Sequence, residues 1–175
     1  MVEMAVDSIR FTRSQQRVVV LKDTRNDRYL LIWIGQAESA AIIHELQGAS
    51  YPRPLTHDLL KAVIADMGGK VAHILINELK QSTYFARIVI EVGSKTIEVD
   101  ARPSDAIALA VRVKCPIYAN EAVLKAAAVI PEDLEGTRKG SAPRGASEMA
   151  AESVDLEAYR DFINNLDILD DFGKD

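Results

Sequence analysis

Tyr84-Phe85-Ala86-Arg87-Ile88-Val89-Ile90-Glu91-Val92-Gly93-Ser94-Lys95-Thr96-Ile97-Glu98-Val99-Asp100-Ala101-Arg102-Pro103-Ser104-Asp105 is the stretch whose reading decides the fold. Tyr84, Ala86, Ile88, Ile90 and Val92 alternate onto one face, which predicts a strand. Gly93-Ser94 makes a tight turn, and Lys95 to Asp100 returns with Ile97, Val99 and Ala101 on its core face. Asp100 then shares the opposite face with Glu98. Apolar residues at helical spacing follow, so a helix is expected from Ser104 to about Val113. The unit is strand, strand, helix.

An earlier stretch repeats it. Val18 to Leu21 reads as a strand, Thr24 to Arg28 as a hairpin turn around Asn26-Asp27, and Tyr29 to Ile34 as the returning strand. A helix is expected from about Ala37 to Leu46. A shift of 67 residues lays Leu30, Ile32 and Ile34 over Ile97, Val99 and Ala101, and Glu38 over Asp105. Between the two units, Thr56 to Met67 reads as a helix with a core stripe of Leu59, Leu60, Val63, Ile64 and Met67, stopped by Gly68-Gly69. Val71 to Leu79 is then a strand. Val2 to Phe11 and Pro116 to Ala119 are further strands, and Glu121 to Ala128 is a short helix. The sum is an α+β fold: a mixed β-sheet with helices mainly on one side, a duplicated β-β-α unit, and a C-terminal helix.

That last helix is expected at Asp155 to Leu166, on the apolar positions Leu156, Tyr159, Phe162, Ile163 and Leu166. It should dock on the main domain or on a neighbouring subunit. The domain plan is therefore a folded unit over 1–130, a linker over 131–153 rich in Gly, Ala, Ser and charge, and an acidic helix and tail over 154–175. The charge follows the same division. Residues 1–130 hold 16 Lys+Arg and 14 Asp+Glu, whereas residues 131–175 hold 5 and 12. The net charge of −5 thus belongs to the tail and neither opposes nor supports nucleic-acid binding by the main unit. Arg10, Arg13, Arg17, Lys22, Arg25 and Arg28 make the N-terminal part locally basic, read as a solvated strand and turn surface.

The single cysteine, Cys115, excludes an intramolecular disulfide and a cysteine-rich metal site and reads as a structural thiol. No basic region followed by an apolar core opens the chain, and no apolar run reaches membrane-spanning length. No membrane association and a reducing cytoplasm are the expectations. Zinc spacing, a GxSxG elbow and a phosphate-binding glycine loop are absent from the sequence.

Two segments share a grammar: Tyr51-Pro52-Arg53-Pro54-Leu55-Thr56-His57-Asp58 and Asp100-Ala101-Arg102-Pro103-Ser104-Asp105. Each runs arginine, proline, a hydroxyl residue that can cap a helix, and an aspartate in the first turn. Helix N-termini present unpaired N–H groups and a positive dipole end, which favours anions. Thr56 and Ser104 are explained as N-caps and Asp58, Asp105 and Glu38 as dipole partners. His57 has no such explanation; a neutral imidazole can serve as general base or metal ligand. Asp100, at a strand end, belongs to a possible metal-and-phosphate corner with Asp105 and Glu38. Arg53 and Arg102 are suited to bidentate phosphate contacts, or equally to ion pairs with Asp100, Asp105 or Glu38. His44 and His73 read as surface or hydrogen-bonded core histidines.

With Arg28-Tyr29-Leu30-Leu31-Ile32-Trp33-Ile34-Gly35-Gln36-Ala37-Glu38 and Pro52 to Leu59 beside Asp100 to Leu109, the chain resembles the bifunctional nuclease domain family over about residues 1–130. The resemblance implies a small α+β domain with a duplicated β/α unit, bacterial and cytoplasmic, self-associating as a dimer or trimer, and active on DNA and RNA. The expected function is hydrolysis of phosphodiester bonds. Arg53, Arg102, Thr56 and Ser104 would bind phosphate. His57, Asp58, Asp100 and Asp105 would be catalytic. Asp100, Asp105 and Glu38 would hold a divalent cation, Mg²⁺ or Mn²⁺. The rival is a non-enzymatic regulatory or anion- and nucleic-acid-binding homo-oligomeric module, in which the same motifs stabilise helix starts.

Overall fold

The computed structural model describes residues 1–11 and 16–130. The linker at 131–153 and the helix at Asp155 to Leu166 lie outside the described residues, as does Arg13. In chain order the elements are β1 (Val2–Phe11), β2 (Arg17–Asp23), β3 (Tyr29–Ile34), α1 (Gln36–Leu46), α2 (Thr56–Asp66), β4 (Gly69–Lys80), β5 (Thr83–Val92), β6 (Lys95–Ala101), α3 (Pro103–Val113), β7 (Ile117–Ala119), α4 (Glu121–Ala127) and β8 (Ala128–Val129). The duplicated unit is present as β2-β3-α1 and β5-β6-α3.

One mixed eight-stranded sheet runs β6-β5-β4-β7-β1-β2-β3-β8. All pairs are antiparallel except β4–β7, where Ile74 stands beside Ile117. Helix α3 is the centre of the core. Its Ala106, Ile107, Ala108, Leu109 and Ala110 are buried, and the small alanines let it lie close against strands. It touches β4 and β5 near one end of the sheet and β3 near the other, so the sheet curls around it. Helices α1 and α2 flank α3 on either side. The core joins Val19, Leu21, Leu30, Ile32 and Ile42 to Ile74, Ile76, Ala86, Ile88 and the buried face of α3.

Two expectations about burial are corrected. On α2, Leu59, Leu60, Val63 and Met67 are exposed, and Ile64 alone of the expected stripe is half-buried. The inward residues of α2 are instead polar: His57 is buried, and Asp58 and Lys61 bond to α3. On β6, Ile97 and Val99 are exposed although they stand on the core face. The physical reason is common to both. Both lie at the rim of the helix layer, which meets the sheet at β4 through α2 and at β4 and β5 through α3, whereas β6 is the edge strand beyond.

The helix starts are also shifted. Leu55, not Thr56, occupies the N-cap of α2, and Arg102, not Ser104, occupies that of α3, with Pro103 at the first helical position. Proline fits there because its missing N–H is one that the helix leaves unpaired. Gly68, at φ +77°, ends α2, and Gly69 already belongs to β4. Cys115 is half-buried and its burial pushes the thiol up, as befits a structural cysteine.

Candidate active site

Three helix N-termini meet at one place. Helix α2 supplies His57, α3 supplies Arg102 and Asp105, and α1 supplies Glu38. His57 Nε2 lies 3.3 Å from Asp105 Oδ1. Arg102 donates from Nε to Asp105 Oδ2 at 2.7 Å and from Nη2 to Asp105 Oδ1 at 3.1 Å. The same Nη2 is 2.8 Å from Glu38 Oε1. The result is a chain His57–Asp105–Arg102–Glu38 across residues far apart in sequence. Its depth is graded: the side chains of His57 and Glu38 are 11% and 16% exposed, whereas Arg102 is 66% exposed. Asp105 and Glu38, in that order, hold the guanidinium firmly in its charged form.

Gly35 is part of this geometry. It is the N-cap of α1, and a Cβ built on it would collide with the Glu38 carboxylate. The bare backbone at Gly35 lets Glu38 fold back over the helix start, where its carboxylate meets Arg102.

A second polar chain stands behind the first. Asp58 Oδ2 accepts from the Leu55 N–H at 2.9 Å, which caps α2. Its Oδ1 accepts from Arg112 Nε at 2.7 Å. Arg112 is only 4% exposed and also donates to the Ala108 carbonyl at 2.8 Å. Lys61 Nζ donates to the Arg112 carbonyl at 3.0 Å. Burial alone would raise the Asp58 carboxyl, but the Leu55 N–H and the Arg112 guanidinium outweigh it and hold it below the usual range. These bonds lock α2 against α3 and so fix His57 beside Asp105.

The expected site residues separate into groups. His57, Asp105, Arg102 and Glu38 are together. Asp58 adjoins them through α2 and faces Arg112. Arg53 lines a cleft of about 250 Å³ with His44, Tyr51, Asp58 and Arg112, and that cleft does not include Arg102. The His44 Nδ1 and Tyr51 hydroxyl are 3.0 Å apart on its wall. Thr56 is exposed and Ser104 buried at their helix starts. Asp100 stands apart. It is paired in register with Arg87, on the face of β6 opposite Ile97 and Val99, where Glu98 bonds Arg87. His73 packs edge-on against Tyr118 in the sheet, at 5.4 Å between ring centres.

The donor set does not fit a divalent cation as it stands. Both oxygens of Asp105 and one of Glu38 are engaged by Arg102, and Asp100 faces away. Among the described residues no group of three or more His, Cys, Asp or Glu side chains is arranged to hold a metal ion.

Two buried charged residues have no place in the sequence analysis. Arg112 stands among apolar residues of α3, and its sequence neighbours do not name its partner. Asp23, 1% exposed, accepts from the Arg25 and Asn26 N–H groups and from Arg28, whose Nη1 reaches Glu121 at 2.8 Å. Burial would raise the Asp23 carboxyl, but these donors outweigh it and hold it low. It ties the β2–β3 hairpin to α4. The visible signal was an aspartate opening the Asp23 to Arg28 turn, the Asx-turn position.

The fold and this convergence of helix N-termini define a class: a small α+β domain with a duplicated β-β-α unit and a histidine–carboxylate–arginine network at its helix starts. Residues 19–132 match the family model described as the bifunctional nuclease domain, and the chain belongs to that family. An uncharacterized protein of Mycobacterium tuberculosis (strain ATCC 25618 / H37Rv) is 39% identical over 165 residues, 94% of each chain. Bifunctional nuclease 1 of Oryza sativa subsp. japonica is 28% identical over 118 residues, 66% of this chain and 36% of that protein. Bifunctional nuclease 1 of Arabidopsis thaliana is 31% identical over 107 residues, 59% of this chain and 33% of that protein. The chain thus spans about a third of the plant relatives it matches. Among the described residues no helix is long and apolar enough to cross a membrane.

Proposed function

We propose that the chain is a nuclease that hydrolyses phosphodiester bonds of DNA, RNA or both. The observation that carries this reading is the His57–Asp105–Arg102–Glu38 chain at three converging helix N-termini, in a member of the bifunctional nuclease family. Arg102 uses Nε and Nη2 on carboxylates, and the exposed remainder of its guanidinium is free to meet a phosphate oxygen beside the positive helix ends. In the tautomer protonated at Nε2, His57 donates to Asp105 and keeps a lone pair on Nδ1 to accept a proton from water. Asp105 fixes the ring and stabilises the imidazolium that forms. Asp58, through Arg112, holds α2 in register. Arg53 on the neighbouring cleft supplies a second contact for a polynucleotide backbone. Thr56 and Ser104 add helix-start donors to the phosphate. Asp100, on the far face, takes no part in these steps.

The hydrolysis proposed rests on His57, Asp105 and Arg102, since the carboxylates present do not fit Mg²⁺ or Mn²⁺ as they stand. A cytoplasmic, self-associating protein is the setting proposed. The test is cleavage of DNA and RNA by highly purified protein, with and without EDTA, beside the double variant His57→Ala/Asp105→Ala. Cleavage lost at least about 100-fold in the variant supports the reading. Cleavage retained by the variant assigns it to a contaminant. A second reading has its own support: Asp105 and Glu38 are both already ion-paired to Arg102, which suits a non-enzymatic anion- or nucleic-acid-binding module. Salt-dependent binding with substrate recovered intact would favour it.

A further inference from the structure

The α2–β6 face is the place where sheet and helix layer do not match. Helix α2 packs on β4 and α3 on β4 and β5, whereas β6 is the edge strand beyond them. Leu60, Val63 and Met67 on α2 are 37%, 44% and 76% exposed, and Ile97 and Val99 on β6 are 45% and 41% exposed. Leu60 and Met67 stand one helical turn either side of Ile64, the residue through which α2 meets the sheet near Ile90. A Cβ built on Gly69 would lie 3.0 Å from Ile90 Cγ2 and 3.1 Å from Ile64 Cγ2, so these two side chains close the floor between α2 and the sheet. Ile90 is the register partner of Ile97, and Ile88 of Val99. The β6 carboxylates, Glu98 and Asp100, alternate to the opposite face, so this face is apolar along the strand. Apolar patches of this kind on a small domain mark a surface that something covers.

We infer that the occupant is the chain's own segment Leu156–Leu166, lying across α2 and β6 as the missing outer member of the helix layer. Several observations choose it over a second copy. The segment lies outside the described residues, but its sequence spaces Leu156, Tyr159, Phe162, Ile163 and Leu166 as one apolar side, which needs a surface. Residues 131–155 can span roughly 80 Å when extended. The flat width of an eight-stranded sheet from β8 to β6 is about 34 Å, and curling shortens it. Tethering gives the segment an effective concentration on the order of millimolar, well above that of a second chain in ordinary solution. Charge agrees: residues 131–175 carry 12 acidic and 5 basic groups, and residues 1–130 carry 16 basic and 14 acidic. The alignment with the M. tuberculosis relative covers 94% of this chain and so takes in most of the segment's region, although the family model ends at 132. This inference is independent of the nuclease reading.

The experiment uses full-length Ile97→Cys/Phe162→Cys in a Cys115→Ser background, with a short bis-maleimide and an equal mixture of ¹⁴N and ¹⁵N chains. Mass spectrometry of the 97–162 crosslink should show same-isotope pairs only. Its yield should be at least ten times that of the control Arg25→Cys/Phe162→Cys and should fall to the control level on adding Ile163→Asp. Mixed-isotope crosslinks would overturn the proposal in favour of a second copy. A yield no better than the control would overturn it outright. A second measurement needs no new cysteine. Phe162→Asp should raise binding of an apolar fluorescent dye several-fold, and Leu60→Asp/Val99→Asp added to it should abolish the gain; an unchanged dye signal contradicts the proposal.

Discussion

His57 and Asp105 stand 48 positions apart in sequence, and their side chains meet at 3.3 Å, Nε2 to Oδ1. The contact joins two segments of similar composition at the starts of two adjacent helices. It exists because Asp58 and Lys61 bind α2 to the end of α3 around Arg112.

The exposed arginine should matter for activity and little for stability. Arg102→Ala removes ion pairs at a side chain that is 66% exposed, and such pairs contribute about 0–1 kcal/mol. Cleavage should fall at least about 10-fold while the denaturation midpoint hardly moves, since an electrostatic contact to the phosphate is lost. Activity and urea unfolding of the same preparation check this.

Gly35→Ala should behave as an indirect lesion of Glu38. The added Cβ displaces the carboxylate from Arg102, and the flexible side chain gives way, so the cost in stability should be below about 1 kcal/mol. The activity loss should match that of Glu38→Gln, and the double variant should lose no more than either alone. Additive losses would show that the two residues act separately.

Asp58→Ala leaves the buried Arg112 guanidinium without its carboxylate. A broken buried pair costs about 3–5 kcal/mol, and the partial exposure of Asp58 places this one near the low end. Chemical denaturation should show a loss of about 3 kcal/mol, and Asp58→Asn, which keeps the acceptor for the Leu55 N–H, a smaller one.

Asp23 gives the acid dependence its sign. Its folded carboxyl titrates below the unfolded value of about 3.9, so the unfolded chain binds the extra proton in acid. The stabilisation is complete above that value and is lost as pH falls through the lower folded one. Unfolding free energy measured from pH 6 to pH 2 should therefore drop in wild type and drop less in Asp23→Asn, itself less stable at pH 6.

Much of this architecture was legible because periodicity reports local structure. The alternation of Ala86, Ile88 and Ile90 and the repeat of the β2-β3-α1 pattern gave the sheet and its duplication. Burial was less legible. Leu60 and Val99 have the spacing of core residues, yet Val99 stands on the edge strand and Leu60 on an exposed side of α2. The motifs named His57, Asp105 and Arg102 and the internal repeat named Glu38, but sequence alone could not join three helix starts. Asp100 was grouped with Asp105 by proximity in the chain, and strand alternation turns it to the other face. Arg112 has its partner 54 positions away, so no local pattern announces its burial.

The most direct measurement is the rate of cleavage of a labelled single-stranded DNA and a matching RNA by wild type and His57→Ala, each shown to be folded by its denaturation curve, with and without added imidazole. The account predicts a fall of at least about 100-fold in the variant and partial recovery with imidazole. A folded His57→Ala protein that cleaves at the wild-type rate would contradict it.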